Sequence, residues 1–248
     1  MILFLTSSPC VIGAERAILN EANGFVDRLR ESLPANPKCL FISSDPDSYG
    51  LNDGFGLDMS VAFAEAGMEF AGYAVLDGRN AVFAQPLIWA SDLIILCGGH
   101  VPTMNGFLLD LELPELLEDY QGVVMGISAG SMNCAARVYA QPEEPGESSP
   151  AFPRFLSGLG LTDTNILPHY QQVKDNILDE KRLYEDITFA DSMGECFLAL
   201  PDGSYIYSDS EEELLCGEGY LLEDGQMRQI SKEGDEIILD SPTMAREQ

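Results

Sequence analysis

Five short, almost unbroken apolar runs, at residues 2–5, 39–42, 70–76, 93–96 and 123–127, restrict most sharply the folds open to this 248-residue chain. A strand covered on both faces reads as such a run, whereas a half-exposed strand alternates apolar and polar residues. The longer amphipathic segments between the runs predict helices over 14–33, 60–66 and 107–120, bounded by Gly, Pro or Asn. The alternation therefore predicts an α/β protein of three layers, a mostly parallel sheet with helices on both faces. After residue 195 the texture changes to short strands separated by Asp202-Gly203, Glu218-Gly219, Asp224-Gly225 and Glu233-Gly234. These turn pairs predict a C-terminal antiparallel hairpin extension of the sheet. The length suits one core, so residues 1–248 are expected to form a single domain.

Charge and cysteine usage narrow the setting. With 41 acidic and 13 basic residues the formal charge is −28. A chain this acidic lacks the cations that phosphate contacts require, so neither nucleic acid nor an anionic membrane is an expected partner. No stretch approaches the roughly 20 apolar residues of a membrane span. The six cysteines include no Cys-x-x-Cys pair, which fits reduced thiols and a cytoplasmic protein. Residues 1–5 read as a buried first strand, since no basic leader precedes them. A homodimer is compatible with these features.

The chemistry concentrates in Val123-Val124-Met125-Gly126-Ile127-Ser128-Ala129-Gly130, an apolar strand running into G-x-S-x-G and a small-residue helix expected through Ala136. A serine at a sharp strand-to-helix turn projects its hydroxyl from the sheet edge, and glycines two residues either side let strand and helix approach. Ser128 is the candidate nucleophile. The backbone N–H of Ala129 is the natural first oxyanion donor, a group typically worth about 2.7 to 4 kcal/mol of transition-state stabilisation. Cys97-Gly98-Gly99-His100, ending the fourth apolar run, supplies Gly99 as the candidate second donor.

A serine needs a base, and the chain holds two histidines, His100 and His169. His169 ends Asn165-Ile166-Leu167-Pro168-His169-Tyr170, where a short strand delivers it to a loop, and it is the candidate base. His100 is assigned to substrate contact or to capping its loop. A carboxylate between serine and histidine is expected to orient the imidazole; Glu143 is the first choice, Glu144 the next, with Asp163 and Asp175 open. Residues 141–160, rich in proline, glycine and serine, form a long loop between the two candidates, and a lid is its expected role. Neither paired histidines nor a cysteine cluster with zinc-ligand spacing occurs, so no metal and no cofactor is expected.

The Gly-Gly strand end, the Gly-x-Ser-Ala-Gly elbow and the Pro-His-Tyr segment resemble those of the dipeptidase E and cyanophycinase family of serine peptidases. The resemblance implies a class I glutamine amidotransferase-like fold, with serine where those enzymes carry the elbow cysteine. It places the nucleophile at Ser128 and the histidine at His169, and it points to Glu143 as the acid downstream of the elbow. Family members commonly have a third glycine and an asparagine where Cys97 and His100 stand. The implied function is hydrolysis of small peptides, aspartyl or β-aspartyl, through an acyl-enzyme. Such a substrate needs a cation for its carboxylate, and Arg182 is assigned that role ahead of Arg154, Lys174 and Lys181. The alternatives are a non-catalytic binding or regulatory domain on the same fold, and an esterase or amidase of non-peptide substrates.

Overall fold

The computed structural model describes residues 1–209 and 211–239. Five parallel strands, β1 (Ile2–Thr6), β2 (Lys38–Ile42), β3 (Gly72–Leu76), β4 (Leu93–Leu96) and β5 (Val123–Ile127), lie in the order β1-β5-β4-β2-β3. The side of β1 away from β5 continues as three antiparallel strands, Tyr205–Ser208, Glu213–Cys216 and Glu236–Ile238. The strand period of two divides the apolar runs between two cores. Leu3, Leu5, Leu40, Ile42, Ile94 and Leu96 face one side. Phe4, Cys39, Phe41, Leu93 and Ile95 face the other. Helices Val101–Asp110 and Leu113–Leu117 cover the first face through Met104, Leu108 and Leu113. Helices Phe25–Ser32 and Tyr49–Glu65 cover the second through Leu29, Met59 and Phe63. The expected α/β architecture is therefore present.

The C-terminal hairpins divide their pairing. Gly219–Glu223 and Gln226–Ser231 join Cys196–Ala199 and Asn165–Leu167 in a separate four-stranded sheet, in which the last two strands run parallel. Ala199 pairs with Leu167, so both strands end at the same level, and the Tyr170 N–H then donates to the Leu200 carbonyl at 3.1 Å. This pairing determines what meets at the site.

The helices differ from the sequence expectation in three places. Over 14–33 only Phe25–Ser32 is α-helical, because Asn23 (φ 56°) and Gly24 (φ 71°) turn the chain left-handed just before it. The helix expected over 60–66 begins at Tyr49. Gly50, Gly54 and Gly56 weaken its propensity, but a Cβ at Gly56 would lie 2.9 Å from Val75 Cγ2, so packing against β3 uses the missing side chain. The segment 107–120 holds parts of two helices, separated at Glu112 (φ 54°). No helix among the described residues is long and apolar enough to cross a membrane.

Candidate active site

The elbow glycines have steric causes. A Cβ on Gly126 would stand 2.5 Å from Ser131 Cα, and one on Gly130 2.1 Å from the Leu96 carbonyl oxygen. Between them Ser128 takes φ 50°, ψ −112°, a backbone conformation that a non-glycine residue rarely adopts. It is held there by its N–H donating to the Thr6 carbonyl at 3.0 Å. Ser131 Oγ donates to the same carbonyl, and Thr6 Oγ1 donates to the Gly126 carbonyl, stitching β1 to the elbow. The helix beyond runs only from Ala129 to Asn133 and stops short of Ala136. Five residues make little of a macrodipole, so any anion stabilisation here rests on individual N–H groups.

His169 follows strand Asn165–Leu167 and Pro168 in a left-handed conformation, φ 57°. Its N–H donates to Ser7 Oγ at 2.7 Å, which fixes the main chain. Its Nε2 lies 3.0 Å from Ser128 Oγ, and its Nδ1 2.7 Å from Asp202 Oδ1. An ionised Asp202 accepts the Nδ1 proton, which leaves Nε2 to accept from the serine hydroxyl.

Asp202 thus occupies the position expected of Glu143. Both imidazole nitrogens are engaged, so none of Glu143, Glu144, Asp163 and Asp175 is the partner of His169. The reason is topological: Cys196–Ala199 lies beside Asn165–Leu167, and the residues beyond the two strand ends meet. The Asp202 side chain is 1% exposed. It also accepts from Ser7 Oγ at 2.7 Å and from the amides of Gln171 and Gln172 at 2.6 and 2.5 Å. Burial pushes its carboxyl upward, but the hydrogen bonds from His169, Ser7 and Gln171 outweigh that and hold it below the ordinary Asp value. The sequence offered Asp202 only as half of an Asp-Gly turn, and Ser7 carried no signal there. An acid just past the strand that pairs with the histidine strand was the available signal.

Gly99 and Ser128 line the same cavity. A Cβ on Gly99 would meet Ser44 Oγ at 2.3 Å, so that position packs against Ser44 only as glycine, while a Cβ on Gly98 would lie in ordinary contact, 3.5 Å, with Ser128 Cβ. Ala129 is buried directly after Ser128. Cys97 and Cys134 are buried thiols pushed up in pKa by desolvation, Cys97 to about 12, which makes them packing groups.

Two assigned substrate contacts lie elsewhere. His100 precedes helix Val101–Asp110, bonded through Nδ1 to Thr103 Oγ1 at 2.7 Å and through Nε2 to Glu147 Oε1 at 2.8 Å. It ties the long loop to the end of β4 and is absent from the described cavity lining. Arg182 is exposed and occupied by Asp186, which accepts from its Nε and Nη2 at 3.0 and 2.6 Å. It is outside that lining too, as is Lys181, whose Nζ donates to the Ser148 carbonyl.

The cavity has a volume of about 450 Å³ and is walled by Met132, Val173, Ile177, Leu178 and Leu183, with Ser128, His169 and Glu143 opening onto it. Glu143 donates its N–H to Glu147 Oε2, while its accessible side chain sits at the cavity edge. The protein packed about that carboxyl nonetheless raises its pKa to about 7, with Glu147 and Glu144 adding to the rise and His100 and His169 opposing it. A wider hollow of about 610 Å³, walled by Leu198, Leu221 and Ile237, holds none of these groups. Among the described residues His100, Glu144 and Glu147 are close enough to share a metal ion. One Glu147 oxygen already faces His100, and the other accepts the N–H groups of Glu143 and Glu144.

The model of peptidase family S51 matches residues 3–215. A peptidase from an acI-B1 Actinobacterium has a similar structure, with TM-score 0.68 and 17% identity over 96% of each chain. A putative peptidase E protein from Listeria monocytogenes EGD-e aligns with TM-score 0.53 and 16% identity, over 93% of this chain and 98% of that one. No curated protein matches the sequence.

Proposed function

The chain belongs to peptidase family S51 and is a serine-type peptidase, and from that premise we propose that Ser128, His169 and Asp202 are its catalytic residues, acting through an acyl-enzyme. The observation that carries this is the continuous chain from Ser128 Oγ through the imidazole to Asp202, at 3.0 and 2.7 Å. Ser128 Oγ attacks the peptide carbonyl carbon while Nε2 of His169 takes its proton. The carbonyl oxygen becomes an oxyanion facing the N–H groups of Ala129 and Gly99. Collapse breaks the C–N bond, the amine leaves with the proton from Nε2, and an ester to Ser128 remains. Water, losing its proton to His169, then hydrolyses that ester and frees the serine. Asp202 holds the imidazole in the required tautomer throughout and stabilises its charged form.

A cavity of about 450 Å³ suits a residue or two, which favours short peptides. The aspartyl or β-aspartyl preference implied by the family resemblance finds no Lys or Arg among the described cavity-lining residues. The contact between Ser128 and His169 also counts against a non-catalytic domain. The test is mass spectrometry of a short-peptide library, aspartyl and β-aspartyl dipeptides included, incubated with the wild type and with Ser128→Ala. Cleavage by the wild type and none by the variant is expected; equal cleavage by both, or none by either, rejects the assignment.

A further inference from the structure

The described lining of the Ser128 cavity is apolar apart from its reactive pair, two amides and one acid, Glu143. That acid is delivered on a fixed segment. Its N–H and that of Glu144 donate to Glu147, which His100 holds, and Asp179 accepts from the N–H groups of Gly146 and Ser148. Among the described residues nothing donates a hydrogen bond to the Glu143 carboxylate, and no Lys or Arg pairs with it. Among the described lining residues it is the one acid or base besides His169.

We propose that this cavity receives a positively charged peptide segment with an aliphatic stretch, and that Glu143 is the residue that selects it. The inference rests on Ser128 being the nucleophile. An acidic side chain here would meet a carboxylate and no cation, and its desolvation would go uncompensated. A cation beside an aliphatic stretch matches both features: methylenes lie along Val173, Ile177 and Leu178 while the charge reaches Glu143. Two sources share that chemistry, the free α-ammonium beside an aliphatic side chain, and a lysine or arginine side chain. The chain's charge of −28 draws either toward it.

The raised pKa of Glu143 gives the selection a pH signature. Desolvation by the protein packed about the carboxyl, then Glu147 and Glu144, favour its protonated form, while His100 and His169 favour the ionised one. At about pH 7 the empty site is divided between the two forms, and only the ionised form pairs with a cation. Affinity for a permanently charged lysyl peptide therefore rises as pH increases through 7.

Ser128→Ala binds without turning over, so calorimetry on that variant tests the inference directly. The probes are Leu-Ala-amide, acetyl-Leu-Ala-amide, acetyl-Lys-Ala-amide and acetyl-Asp-Ala-amide. At least one cationic probe is expected to bind about tenfold or more tightly than the neutral one, with the acidic probe weakest. The better of the free-amine and lysyl probes identifies the source of the charge. Adding Glu143→Gln is expected to reduce that preference to about threefold or less and to remove its pH dependence. Equal binding of neutral and cationic probes, preferred binding of the acidic one, no binding of any, or a preference that survives Glu143→Gln each overturns it. Turnover separates this from the peptidase assignment: serine-dependent cleavage without charge preference sinks the selection alone, and charge-selective binding without cleavage sinks the assignment alone.

Discussion

Asp202 and Glu143 are acids in opposite electrostatic situations. Asp202 is enclosed by four donors, from Ser7, His169, Gln171 and Gln172, and its carboxyl is held below the ordinary Asp value. Its ionised form contributes stability that is present above the ordinary Asp range and is lost as pH falls through the depressed folded-state value. Asp202→Asn keeps the shape but cannot accept the Nδ1 proton in the same way, so kcat is expected to fall by on the order of 10⁴-fold. The thermal transition near neutral pH should show a folded protein; turnover within a few-fold of wild type would remove Asp202 from the mechanism. Glu143 lacks such donors and is pushed up to about 7, so it is divided between its two forms near neutral pH, and a cation beside it favours the ionised one. Residue chemistry was legible where one-dimensional spacing carries it, at Ser128 with its flanking glycines and at His169 after its short strand. It was not legible for Asp202, since 33 residues separate it from His169 and only strand pairing brings them together.

Among the elements, the elbow holds the least slack. Strand β5, the turn at Ser128 and helix Ala129–Asn133 depend on Gly130 lying against the end of β4, where a Cβ would approach the Leu96 and Cys97 carbonyl oxygens to 2.1 and 2.9 Å. Those oxygens are backbone and cannot swing aside. Gly130→Ala is expected to cost about 1–3 kcal/mol in urea unfolding and to reduce activity by displacing the Gly98-Gly99 strand end. Gly106→Ala, in helix Val101–Asp110 with nothing within 4 Å of the added methyl, should be neutral or stabilising by up to about 1 kcal/mol. Equal stability of the two variants would contradict this account of the elbow. The same packing explains why helix boundaries were hard to read. Gly56 looks like a breaker in sequence and is a contact with β3 in space, whereas Asn23 and Gly24 break a segment whose apolar spacing continues.

At the scale of the whole molecule, the parallel sheet and its two covered faces follow directly from five apolar runs split by a period of two. The division of the C-terminal strands between two sheets does not. Asn165–Leu167 spans three residues, too few to show a period, and its partner lies beyond an intervening helical segment. That second sheet carries His169 toward Ser128, which stands on the first, so the proposed catalytic unit exists only when both sheets are formed together. A fluorophosphonate probe reads out this whole arrangement, because it reacts with a serine only when base and oxyanion donors are assembled around it. The decisive measurement is intact-mass and tandem mass spectrometry of the folded wild type after labelling. One covalent adduct, located on Ser128 and absent after prior unfolding, is the expected result. A folded protein that stays unlabelled, or that carries its adduct on another residue while Ser128 remains free, contradicts the account.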